Sequence, residues 1–127
     1  MTSGDIKSED FEVMKVQAGA AGAIGDVVHI EADGYWDPVV ATDTGKFGVL
    51  LDSAAAEGDW VRVLTRGDVE VTATAAAIAK GAYAVAGSTG KIAQVGTLDA
   101  AAVLGTIIGY AKTAFASGGQ GILHVGD

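Results

Sequence analysis

His29 and His124 are the only imidazoles in the 127-residue chain, and there is no cysteine. Imidazole and thiolate are the side chains that most readily bind zinc or activate a nucleophile near neutral pH. The two histidines fall on separate predicted strands. Neither has a second histidine at a helical or hairpin ligand spacing. A metal centre or a Ser-His-Asp relay therefore has little to draw on. Gly87-Ser88-Thr89-Gly90-Lys91 hints at a phosphate loop, but Val85 stands where the leading glycine belongs. Ile92 follows the lysine in place of Ser or Thr, so the spacing predicts a plain loop. The run Gly19-Ala-Ala-Gly22-Ala-Ile-Gly25 leads into a strand, so no helix N-terminus awaits an anion there. Arg66-Gly67-Asp68 spells an integrin-binding tripeptide, yet Gly-Asp is also turn chemistry, and a tight turn is predicted. The sixteen acidic residues are scattered through turns and strand faces, as a solvated surface is.

Composition points the same way. Half the residues are hydrophobic but only 6% are aromatic, and 19 glycines stand against one proline. That suits short, closely approaching strands joined by many turns better than a large aromatic pocket. The length fits one domain. A net charge of -8 opposes a nucleic-acid backbone as partner and keeps an abundant protein dispersed. No apolar run reaches the length of a membrane span, so no membrane partner is expected. The first ten residues lack the pattern of a signal peptide, and a soluble protein made in the cytosol is expected.

Residues 1–10 read as a flexible arm, charged and apolar at Ile6, ahead of a single β domain over 11–127. Strands are predicted at 11–16, 26–32, 35–40, 46–51, 59–66, 68–73, 82–86, 91–95, 104–111 and 120–125. Turn signals separate them, among them Asp33-Gly34, Glu57-Gly58-Asp59, Gly67-Asp68 and Ser117-Gly118-Gly119. Thr74–Lys80, closing on Gly81, fits one or two helical turns or a compact loop.

The chain also resembles itself. Gly25-Asp-Val-Val-His-Ile matches Gly81-Ala-Tyr-Ala-Val-Ala at an offset of 56, and Gly48-Val-Leu-Leu matches Gly105-Thr-Ile-Ile at 57. Two half-repeats, about 25–66 and 81–127, are implied. One copy alone would leave an open edge and an uncovered apolar face, and two can satisfy each other. The expectation is an all-β fold, either a small closed barrel or a barrel-like sandwich, with an internal pseudo-repeat and an extended N-terminal arm.

One order of blocks carries a family resemblance. An Ala/Gly-rich lead-in precedes Gly25-Asp-Val-Val28, then Gly45-Lys-Phe-Gly-Val-Leu-Leu-Asp52 and Ala54-Ala-Ala-Glu-Gly-Asp59. Val63-Leu-Thr-Arg-Gly-Asp-Val-Glu-Val71, Ala77-Ile-Ala-Lys-Gly-Ala-Tyr-Ala-Val85 and Leu104-Gly-Thr-Ile-Ile-Gly-Tyr-Ala111 follow. From about residue 12 onward this resembles the capsid cement, or head decoration, proteins of tailed bacterial viruses. The resemblance implies a non-catalytic, barrel-like subunit without cofactor, a homotrimer on the outer surface of the virion, and the major capsid protein as partner. Ile6, Phe11 and Val13 are then candidates to lie against the shell. Trp36 and Trp60 are candidates for a subunit interface or for core anchors.

Two weaker resemblances stand beside it. Asp43-Thr44-Gly45 in a chain of this length resembles the single-domain aspartic proteases of retroviruses, in which two subunits bring carboxylates together to share a proton. Here Ala41-Thr42 and Lys46-Phe47 flank the triplet, which reads as an exposed turn. Glu12-Val13-Met14-Lys15-Val16 is similar to the Met-Lys-Met hairpin of biotin carrier domains, but too little chain precedes it to form the first half of such a barrel.

Overall fold

The computed structural model describes residues 4, 6–8, 11–40, 46–74, 76–87, 89–95 and 107–126. Nine strands order them: β1 (Glu12–Gln17), β2 (Val27–Ile30), β3 (Trp36–Pro38), β4 (Phe47–Leu50), β5 (Trp60–Thr72), β6 (Tyr83–Ala86), β7 (Ile92–Gln94), β8 (Ile107–Ala111) and β9 (Gln120–Val125). They form one curled antiparallel sheet, a half-barrel, in the order β3-β2-β4-β5-β9-β8-β6-β7, with β1 added on β5. No helix occurs among the described residues.

The order reads the same from either end. β2 pairs with β3 and β4, and β6 pairs with β7 and β8, each antiparallel. β4 leads to β5 as β8 leads to β9. The first part of β5 pairs with β1, and its second part, Gly67–Thr72, pairs with β9. Lys15 opposite Arg62 thus corresponds to Glu70 opposite Ile122. Even the loops repeat. Gly22 and Ala54 exchange two backbone hydrogen bonds, and so do Ile78 and Phe115. Single parallel bridges, Ala18 to Trp36 and Ala73 to Ile92, curl each half back toward its own first strand. Gly25 and Gly81 turn at φ of 92° and 86° in matching loops, a conformation open to glycine at no steric cost.

Two expectations change in detail, and a third is decided between its two alternatives. Strands 59–66 and 68–73 are one continuous β5, because its first part closes one half and its second part opens the next. Gly67, at φ 134°, supplies a bend there and not a hairpin turn. The second repeat block is displaced by four residues. Val28 lies opposite Gly48 and Ala84 opposite Gly109, so Gly48 corresponds to Gly109 and not to Gly105. The described part of 74–80 is a loop, since Ile78 is buried and bonded to Phe115 where a helix would have bonded within itself.

The first half closes over Val16, Ala18, Val28, Trp36, Leu50, Ala54, Val61 and Val63. In the second half Ile92, Phe115 and Gly121 stand where Trp36, Ala54 and Val61 stand in the first. The large aromatic has moved, and a small residue has moved with it. A Cβ on Gly121 would lie 2.8 Å from two carbons of the Phe115 ring. Val71, Ala84, Phe115 and Leu123 belong to a larger cluster that also takes Val27, Phe47, Val49 and Leu64 from the first half. One apolar core therefore welds the two together. Gly121→Ala should destabilise the protein by about 1–3 kcal/mol through overpacking. Adding Phe115→Leu, which makes room for the methyl, should cost less than the two single changes summed when all are compared by urea unfolding.

Candidate functional site

The bend in β5 brings ionisable groups together that are far apart in sequence. Asp68, 8% exposed, faces β9, and its Oδ1 lies 2.7 Å from Nδ1 of His124. Its Oδ2 accepts from Lys112 Nζ at 2.9 Å. Burial pushes the Asp68 carboxyl up, but hydrogen bonds and charge from Lys112 and His124 outweigh it and hold the group below its ordinary value. The same bond to Asp68 raises Lys112. An ionised carboxylate can only accept, so Nδ1 of His124 carries the proton. The His124 ring also packs against Tyr110, centroids 5.1 Å apart.

Beside this network lies a cleft of about 460 Å³, lined by Lys46, Arg66, Tyr83, Tyr110 and His124 among others. Arg66 Nε donates to Glu12 Oε1 at 3.2 Å across one wall. Tyr83 and Tyr110, opposite each other on β6 and β8, are 44% and 38% exposed. Aromatic faces and locked charges suit contact. Thr65 is the hydroxyl other than tyrosine on the described lining, and Asp68 is held by Lys112 and His124.

The segment expected to be an arm lies along β5 where it is described. Gly4 N–H donates to the Glu70 carbonyl and Lys7 N–H to the Asp68 carbonyl, both at 2.7 Å. Asp68 N–H donates to Ser8 Oγ at 3.0 Å, and Ile6 bridges to Val69 and packs on the larger core. Beneath this strand the Glu70 carboxylate is wholly buried, and neither of its oxygens accepts a hydrogen bond among the described residues. Lys7 Nζ, 3.2 Å from Oε1, is its counter-charge. Burying a charge costs heavily unless it is paired, so the segment covers Glu70 and neutralises it at once.

β1 has the opposite character. Its equivalent, the second part of β5, is buried over Gly67–Val71, whereas Glu12, Val13, Met14 and Lys15 are all exposed. Phe11 (42%), Val13 (39%), Met14 (42%) and Trp60 (61%), on and beside β1, are large apolar side chains left exposed. No described strand pairs with the second edge of β1.

The expected site residues therefore scatter. Ile6 is committed to this chain's own core, while Phe11 and Val13 stay outside. Trp36, 3% exposed, is enclosed in the first half's core and has no face left for a partner, while Trp60 is open. Arg66–Asp68 lie within a strand, with Asp68 turned inward, so no adhesion turn is displayed. Asp43-Thr44-Gly45 lies outside the described residues. His29 stacks on Phe47 and stands 3.9 Å from Glu31. Among the described residues no three His, Asp or Glu converge as metal ligands would. Sequence reasoning missed the Asp68–His124 contact because Gly67-Asp68 looked like a turn. The repeat, correctly aligned, sets β9 against the second part of β5 and could have revealed it. No protein-family model and no curated protein matches the sequence.

Two outcomes follow from these charges. Asp68 sits below its unfolded value, so its stabilisation is complete above about pH 4 and is lost as acid protonates the folded group. The melting temperature of wild type should fall more steeply below about pH 4 than that of Asp68→Asn. Lys7→Ala should destabilise by roughly 1–3 kcal/mol, Glu70 being left uncompensated. In a Glu70→Leu background, which removes the buried charge, the same change should have little effect in urea titrations.

Proposed function

We propose that this chain is a structural decoration (cement) protein, which binds the outer surface of a mature viral shell and holds neighbouring capsid subunits against rupture. The observation that carries the reading is the exposed apolar group along β1: Phe11, Val13, Met14 and Trp60. Large apolar residues left exposed, with tryptophan foremost, are enriched at protein–protein contact surfaces. They stand on an otherwise strongly acidic chain, which limits indiscriminate association. A body welded by one core offers a footprint of fixed shape. Assembly into a homotrimer would let several weak contacts act together, each subunit engaging the shell in the same way.

The locked state of Asp68 favours contact over chemistry. A carboxylate held by a lysine and a histidine has an architectural job, and it fixes β8, β9 and the β5 bend relative to one another. The order of Gly, Ala and Val blocks along the sequence, with its likeness to the cement proteins of tailed viruses, supports the same reading. The major capsid protein is then the partner and the outer face of the virion the location.

The test uses purified protein and empty mature shells. Sedimentation with mass measurement should show saturable binding at a fixed ratio to shell subunits, and decorated shells should rupture at a higher temperature. Trp60→Ala should weaken binding at least tenfold, about 1.4 kcal/mol, without changing the melting temperature of the free protein by more than a few degrees. Shells that gain neither mass nor heat resistance would overturn the reading.

A further inference from the structure

The two halves treat equivalent edges differently. In the second half the strand Gly67–Thr72 has β9 on one side and residues 4 and 6–8 on the other. In the first half its counterpart β1 has β5 on one side, and on the other β3 approaches only at the Ala18–Trp36 bridge just past its end, leaving Val13 and Lys15 without a described strand. The carbonyls of Asp68 and Glu70 accept from Lys7 and Gly4. The β1 residues at those two places are Val13 and Lys15. A backbone already shaped to take an antiparallel strand is thus repeated, and among the described residues none pairs with it at Val13 or Lys15.

The charge at the seat is inverted. Where Glu70 faces Lys7, β1 carries Lys15. Arg62, opposite Lys15, is spent on Asp52 through contacts of 2.8 and 3.0 Å, and that clasp, with a smaller contribution from the charge of Lys15, holds the Asp52 carboxyl below its ordinary value. Lys15 itself forms no ion pair among the described residues. A strand seated here would meet the exposed Lys15, the apolar Val13 and the exposed indole of Trp60, whose residue lies opposite Gln17.

Counting excludes one occupant. In any assembly of identical copies each chain brings one segment like 4–8 and two such edges. Moving that segment to a neighbour's β1 would also uncover Glu70 and set Lys7 against Lys15. We infer that the outer edge of β1 takes an antiparallel, extended segment of a different protein, one with an acidic side chain opposite Lys15 and apolar residues beside Val13 and Trp60. The identification of that protein as a shell subunit rests on the decoration reading above; the edge and its charge preference do not.

Two synthetic decapeptides serve as probes, one alternating Asp and Val and one alternating Lys and Val, titrated into isotope-labelled protein. The Asp-Val peptide should shift amides of residues 12–17 and 60–62, and the Lys-Val peptide should bind at least tenfold more weakly. Lys15→Glu, a change at an exposed position, should reverse that preference, and Trp60→Ala should weaken the Asp-Val peptide. Equal binding of both peptides, shifts centred on β3 or β7, or self-association of the chain that Lys15→Glu abolishes would each overturn the inference. Shell binding untouched by Lys15→Glu would overturn it while leaving the decoration reading in place. Charge-selective peptide binding by a protein that ignores shells would support this edge and overturn the decoration reading.

Discussion

A strand has two edges and two faces, and β5 uses them all to serve two units at once. Its residues 60–66 complete the first half against β1 and β4, and residues 67–72 begin the second half against β9. Neither half can exist without it, since each would lose a wall of its core. Gly67 makes the passage possible by bending the strand where one set of partners gives way to the other, and a Cβ there would meet Phe11 at 2.8 Å. The shared cluster of Val27, Phe47, Val49 and Leu64 with Val69, Val71 and Leu123 follows from the same passage, because the bend folds one half onto the other.

The distribution of charge follows from that geometry. The second part of β5 lies in the middle of the fold and is covered on both sides, so its two carboxylates need partners: Lys112 and His124 for Asp68, and Lys7 for Glu70. The matching positions of β1 lie at the margin, and there Val13 and Lys15 stay exposed. One repeat has turned its strand into an interior element, and the other has kept it as a surface. Duplication with divergent edges gives a rigid body and a place for that body to touch something else. Rigidity matters for a protein read as a clamp, since a fixed footprint loses little conformational entropy on binding.

Much of this was legible in the residues. The alternation of Trp60–Arg66, the turn glycines and the match of Gly25–Ile30 with Gly81–Ala86 point to an all-β, repeated architecture, which the structure has. The second half of the match went astray because Gly48-Val-Leu-Leu and Gly105-Thr-Ile-Ile look alike as letters. Strand register is decided by hydrogen-bonded partners, and those choose Gly109. The continuity of β5 was hidden by Gly67-Asp68, a pair that turns chains in isolation but here is held extended by β9 and residues 4 and 6–8. The candidate site was less legible still. Trp36 and Trp60 are the same residue type on strands of similar pattern, and only the closing of the first half over one of them tells core from surface. Lys7 and Glu70 are 63 positions apart and belong to no motif.

The two halves behave as one cooperative body joined through β5. Native-state hydrogen exchange of the β5 amides tests this most directly. Amides from Val61 to Val71, together with those of β2 and β6, should exchange through a single opening whose free energy equals that of global unfolding. Exchange of the first half through a separate opening of lower energy, while β9 and the second part of β5 remain protected, would contradict it.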